Sequence, residues 1–139
     1  MNRIGKIAIL LCSLVVTATA YAESDLPSPE KRLTPTIATY LDLLMCANTA
    51  EEFQSDPALA SGYRNSAFAL ADKAEESGWS DDVFDSTLIA VQESYRELEI
   101  SDQDTREDWQ RRHFAGQRCQ QQITAAANYL EQGVPAPDS

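Results

Sequence analysis

Apolar positions in this chain recur every three or four residues over long stretches, and no segment alternates in the two-residue rhythm of a strand, so the pattern predicts helices throughout. The first, at about 35–53, carries Ile37, Tyr40, Leu41, Leu43, Leu44, Met45, Cys46 and Ala47 around most of its circumference. A helix that is apolar on every side is covered on every side, and this one is predicted to be central. Thr34-Pro35 reads as its cap followed by proline in the first turn. Asp56-Pro57 repeats that signal and opens a second helix, about 57–77, with Leu59, Tyr63, Ala67, Leu70 and Ala74 inward and Gly78 just past its end. Ser80 caps a third at about 81–99, with Phe84, Leu88, Val91, Tyr95 and Leu98 on the inner stripe. Asp81 and Asp82 fall in its first turn, where the helix dipole favours anions.

Asp102 or Asp104 starts a fourth and longest helix, running to about residue 132 ahead of Gly133 and Pro135. Its stripe reads Trp109, Gly116, Cys119, Ile123, Ala126 and Leu130, with Gly116 placed to let a neighbouring helix approach closely. Residues 23–33 hold Pro27 and Pro29 and read as a disordered arm; residues 133–139 read as a disordered tail. The expectation is an all-α, single helical domain over 34–132, an antiparallel bundle of about four helices.

The first 22 residues have a different grammar. Arg3 and Lys6 precede an apolar stretch over 7–16, and Ala20-Tyr21-Ala22 follows as a cleavage site, the three parts of a secretory signal. The stretch is well short of the roughly 20 residues that span a bilayer. Cleavage after Ala22 would deliver the chain to a bacterial periplasm and remove Cys12, leaving Cys46 and Cys119. Two cysteines in an oxidising compartment predict one disulfide, and a loop of 73 residues is worth roughly 4 kcal/mol by chain entropy. No Cys-x-x-Cys pair suggests redox catalysis instead.

Charge then narrows the function classes. Without the signal the chain carries 22 acidic residues against nine Lys and Arg, a net charge of −13. That excludes a general nucleic-acid binder and argues against stable attachment to an anionic membrane, so the expected partner is a basic protein. The acids are concentrated: residues 51–108 hold a net −12, whereas residues 109–130 hold only Arg111, Arg112 and Arg118 as charged groups. The sole histidine, His113, has no carboxylate one turn away, at Trp109 or Gln117, so no acid–base pair arises along its helix. Nucleophile elbows, phosphate-binding glycine loops and His–Glu metal motifs are all missing from the sequence, so neither catalysis, a metal nor a cofactor is expected.

One short segment stands out. Glu75, Glu76, Trp79, Asp81 and Asp82, with Asp85 one turn on, put a large aromatic among carboxylates at a helix–helix turn. As a binding feature, Trp79 is an interface anchor and the carboxylates select a cationic counterpart. As a folding feature, Trp79 and Phe84 occupy the two positions of a hydrophobic staple around the Ser80 cap.

The composition fits best an inhibitor or immunity-type protein that occludes a basic envelope enzyme. In type it resembles small helical periplasmic immunity proteins, in which distant cysteines tie helices together. A periplasmic chaperone is the alternative, opened in acid by a swing from about −13 to about +11 once carboxylates protonate. An accessory subunit of an envelope complex is the third.

Overall fold

A computed structural model describes residues 29–101 and 106–137, and every regular element within them is an α-helix. The elements are α1 (Pro29–Glu52), α2 (Pro57–Glu76), α3 (Asp81–Ser101), α4 (Arg106–His113) and α5 (Gln117–Gln132). The expected signal segment lies outside the described residues.

The middle of α1 is the axis of the fold. Thr36, Ile37, Thr39, Leu41, Asp42, Leu43, Cys46 and Ala47 are buried and point in every direction around it, as its all-round apolar pattern predicts. Helix α2 packs along it most extensively, α3 and α5 take other flanks, and α4 lies across its C-terminal end. There Gln110 Nε2 donates to Thr49 Oγ1 at 3.3 Å, and the Arg111 guanidinium lies 4.5 Å above the Phe53 ring. The core has two parts. Leu43, Cys46, Ala47 and Ala50 meet Tyr63, Ala67, Leu70, Trp109, Phe114 and Cys119 in one. Leu33, Ile37 and Leu41 meet Ala74, Trp79, Val91 and Val134 in the other. Cys46 and Cys119 are bonded, with Cα atoms 6.0 Å apart, tying α1 to α5 as expected.

Three boundaries differ from the sequence reading, each for a physical reason. Helix α1 begins at Pro29, so residues 29–33 are helix and not arm, and Pro35 lies inside it. Proline at the first helical position is favoured, and Pro29 takes that role. An interior proline costs about 3 kcal/mol. Fully burying Leu33 returns about 1.5–3 kcal/mol, and Arg32 adds a hydrogen bond from its guanidinium to Pro137 O. Thr34, expected as the cap, instead donates its hydroxyl back to Glu30 O at 3.0 Å.

The expected fourth helix is two helices, broken at 114–116. Gly116, the residue just before α5, adopts φ +59°, a conformation outside the helix that suits glycine. A Cβ there would meet nothing within 4 Å, so Gly116 serves the backbone and not the close helix approach expected of it. The break changes the phase of the stripe: Phe114, absent from the sequence reading of that face, becomes the largest fully buried side chain.

The described part of the C-terminal segment, 133–137, is a strap and not a free tail. Val134 is buried in the second part of the core, and Pro135 O accepts the Trp79 indole N–H at 2.6 Å. Ending the chain at Gly133 should therefore cost about 2–4 kcal/mol in urea unfolding, from a lost apolar side chain and an orphaned indole donor. A free tail would cost nothing measurable.

Candidate functional site

Two local devices build the α2–α3 turn, and Asp56 caps the far end of α2 through Leu59 N–H at 3.1 Å. At the near end Gly78, with φ +102°, closes the helix by a paired reversal: Gly78 N–H donates to Glu75 O (3.0 Å) and Trp79 N–H to Ala74 O (3.2 Å). Ser80 Oγ then accepts from Val83 N–H at 3.3 Å, starting α3 as the sequence predicts. The result places the C-terminal turn of α2 against the N-terminal turn of α3 with Trp79 between them.

An open groove of about 220 Å³ lies at this junction, lined by Ala71, Asp72, Glu75, Trp79, Asp81 and Phe84. Three of the six residues singled out in the sequence, Glu75, Trp79 and Asp81, therefore share one site. Glu76, Asp82 and Asp85 are exposed beside it but do not line it. Glu76 lies 3.8 Å from Lys73 Nζ in an exposed pair one turn apart. The Asp85 charge reaches Tyr40, whose hydroxyl is pushed above its usual pKa by burial first and by Asp85 second.

Trp79 itself requires a correction. It is only 4 % exposed, with its indole N–H on the strap, so it is no protruding anchor. Its ring belongs to the core and contributes the wall of the groove, shared with Phe84, its partner in the predicted staple. Ala71, Asp72 and Phe84 complete the groove and were not in the sequence-derived site. Asp72 lies one turn before Glu75 and Glu76 on the same helix, a spacing that could have included it. Phe68, 52 % exposed, continues that flank of α2 one turn further, and Ile89, 58 % exposed, follows Asp85 on α3.

A second polar centre was not anticipated. The Asp42 side chain is 2 % exposed inside the bundle. Tyr95 donates its hydroxyl to Asp42 Oδ1, and Arg118 Nη2 donates to Oδ2 at 3.1 Å. The Arg118 guanidinium also lies 5.3 Å from the Phe114 ring centre. Burial raises the Asp42 pKa, outweighing the lowering by Tyr95 and Arg118. Tyr95 is raised too, by burial first and then by Asp42. A single polar aspartate in the apolar run Tyr40–Ala47 was the available signal. The centre joins α1, α3 and α5, and the shielding of its carboxylate suits a structural lock.

Two of the three arginines of 109–130 have structural contacts: Arg111 covers Phe53 and Arg118 holds Asp42. His113 is stacked on Trp109 with ring centres 4.6 Å apart, and its Nδ1 lies 2.8 Å from Trp109 O. No group of three or more His, Cys, Asp or Glu side chains suited to a metal ion occurs among the described residues, and none of their helices is long and apolar enough to cross a membrane. No known protein family, curated protein or solved structure matches the chain.

The Asp42 centre fixes a sign for pH dependence. Its raised pKa means that the folded state holds the proton more tightly than the unfolded chain does. That contribution to stability is complete below the unfolded value of about 3.8 and is lost as pH rises through the folded one. In urea unfolding, the native protein should therefore lose ground to Asp42→Asn between pH 4 and pH 7. Tyr95→Phe should cost about 1–3 kcal/mol at pH 7, and less at pH 4, because it withdraws a donor from a buried carboxylate.

Proposed function

We propose that this protein is a periplasmic binding protein of inhibitor or immunity type, which occludes a basic envelope enzyme with the acidic end formed by α2 and α3. The observation that carries the reading is the distribution of exposed charge. Asp72, Glu75, Glu76, Asp81, Asp82 and Asp85 are all exposed around one turn, with Lys73 the nearby cation. Phe68 and Ile89 add exposed apolar area beside them. Charge of one sign around an apolar patch speeds encounter with an oppositely charged protein and gives the contact a core to desolvate.

Two further features support it. The disulfide suits an oxidising compartment and a scaffold that keeps its shape. Groove walls and helix caps are tied by hydrogen bonds before any partner arrives, which lowers the ordering cost of binding. The chaperone alternative needs acid to open the helices, and the Asp42 centre works in the other direction, gaining stability as its carboxyl protonates.

The test is capture on the immobilised oxidised protein from periplasmic extract, followed by assay of the captured enzyme. The expected result is one basic protein at near one-to-one ratio, inhibited on binding and released by salt. Asp81→Lys/Asp82→Lys should slow association about tenfold or more at low salt, with the effect fading as salt rises. Many unrelated clients, or binding indifferent to the charge reversal, would overturn the occluding role.

A further inference from the structure

The α2–α3 groove also constrains what its occupant can be, an inference that rests on the binding role just proposed. Its volume of about 220 Å³ falls below the roughly 300–1,000 Å³ of clefts that hold drug-sized ligands and cofactors, and leaves room for one side chain. The walls are rings held in place. Trp79 is fixed through its indole N–H to Pro135 O, and Phe84 stands edge-on to Tyr40 at 5.3 Å between ring centres and 80° between planes. Three acidic residues, all exposed, line the same space from two helices, Asp72 and Glu75 from α2 and Asp81 from α3, and no cation among the described residues lies in an ion pair with any of them.

We infer that this groove receives the guanidinium of an arginine on the partner protein. A planar, weakly hydrated cation matches a site with aromatic walls and carboxylates on more than one edge. It can lie against a ring and still direct its five N–H donors outward to several acceptors. A lysine ammonium is compact and strongly hydrated, and gains less from the ring faces. An uncharged apolar side chain would leave three carboxylates partly desolvated with nothing in return. Asp81 has a second task, offsetting the positive end of α3, so Asp72 and Glu75 carry most of the selectivity.

The experiment is titration of the isotope-labelled oxidised protein with Ac-Gly-Arg-Gly-NH2, followed by NMR, alongside the same peptide bearing lysine or citrulline. The arginine peptide is expected to shift the Trp79 indole N–H and the backbone amides of Asp72, Glu75, Asp81 and Phe84. Its Kd should be on the order of 1–10 mM, as suits a single side chain. The lysine peptide should bind about threefold more weakly, and the uncharged citrulline peptide should leave these resonances in place. Asp72→Asn/Glu75→Gln should weaken arginine binding about fivefold or more. Both side chains are exposed, and an unmoved Trp79 indole signal in the free variant verifies that its fold is intact. Equal shifts from citrulline, equal binding of lysine, or shifts scattered over carboxylates elsewhere would overturn the inference. The two readings fail separately. A basic enzyme captured through Asp81 and Asp82, with no shift at Trp79, discards the arginine groove and keeps the occluding surface. A groove that binds the arginine peptide, with no enzyme inhibited, does the reverse.

Discussion

Everything else in this structure answers to one constraint, the need to cover α1 on all sides. Its middle turns hold no solvent face, so α2, α3 and α5 must each surrender a flank to it, and none of them can be removed without exposing apolar surface. Asp42 is the exception on that axis, and it makes the constraint more exacting. A buried carboxylate is tolerated only with its acceptors filled. Tyr95 from α3 and Arg118 from α5 fill them, so two helices that barely meet each other are held in register through a residue of the third. The disulfide lies next to this arrangement in sequence, since Cys119 follows Arg118, and one covalent link therefore also limits how far the guanidinium can drift from its carboxylate.

The acidic end follows from the same geometry. Because α2 and α3 are both committed to α1 and scarcely to each other, a gap remains where one ends and the other begins. The chain fills the bottom of that gap with Trp79 and leaves its sides to carboxylates. Apolar area alone would have closed such a gap by collapse. Acidic residues line it from both helices, and like charges facing each other oppose such a collapse.

How much of this could be read from the residues depended on whether a signal was local. Helix caps and ends around α2 and the start of α3 were legible because Asp56-Pro57, Gly78 and Ser80 act on their own neighbours. The central place of α1 was legible because all-round apolarity has one solution. Its start was not, because Pro29 and Pro35 offer the same signal, and the choice between them is made by Leu33 entering a core whose other members run from Ile37 to Val134, near the far end of the chain. The break at Gly116 was obscured for a similar reason: a glycine on an apolar stripe reads as space for a neighbour until its backbone angle is known. At the site, clustering in sequence located Glu75, Trp79 and Asp81 but left Trp79 open between an anchor and a staple, since nothing near it announces that Pro135 will cover its nitrogen.

That cover changes what the tryptophan would contribute to the proposed recognition. An exposed indole would supply area to a partner at the cost of becoming ordered when bound. Here the ring is already ordered, with its polar atom satisfied by the strap and its apolar body in the part of the core that also holds Leu33, Ile37 and Ala74. The remaining surface is a wall already in place before any binding, and for the proposed partner carboxylates around a fixed wall would discriminate by geometry as well as by sign. In the proposed binding role, stability and recognition would meet in the same contact: the strap that closes the second half of the core also holds one wall of the groove beside it.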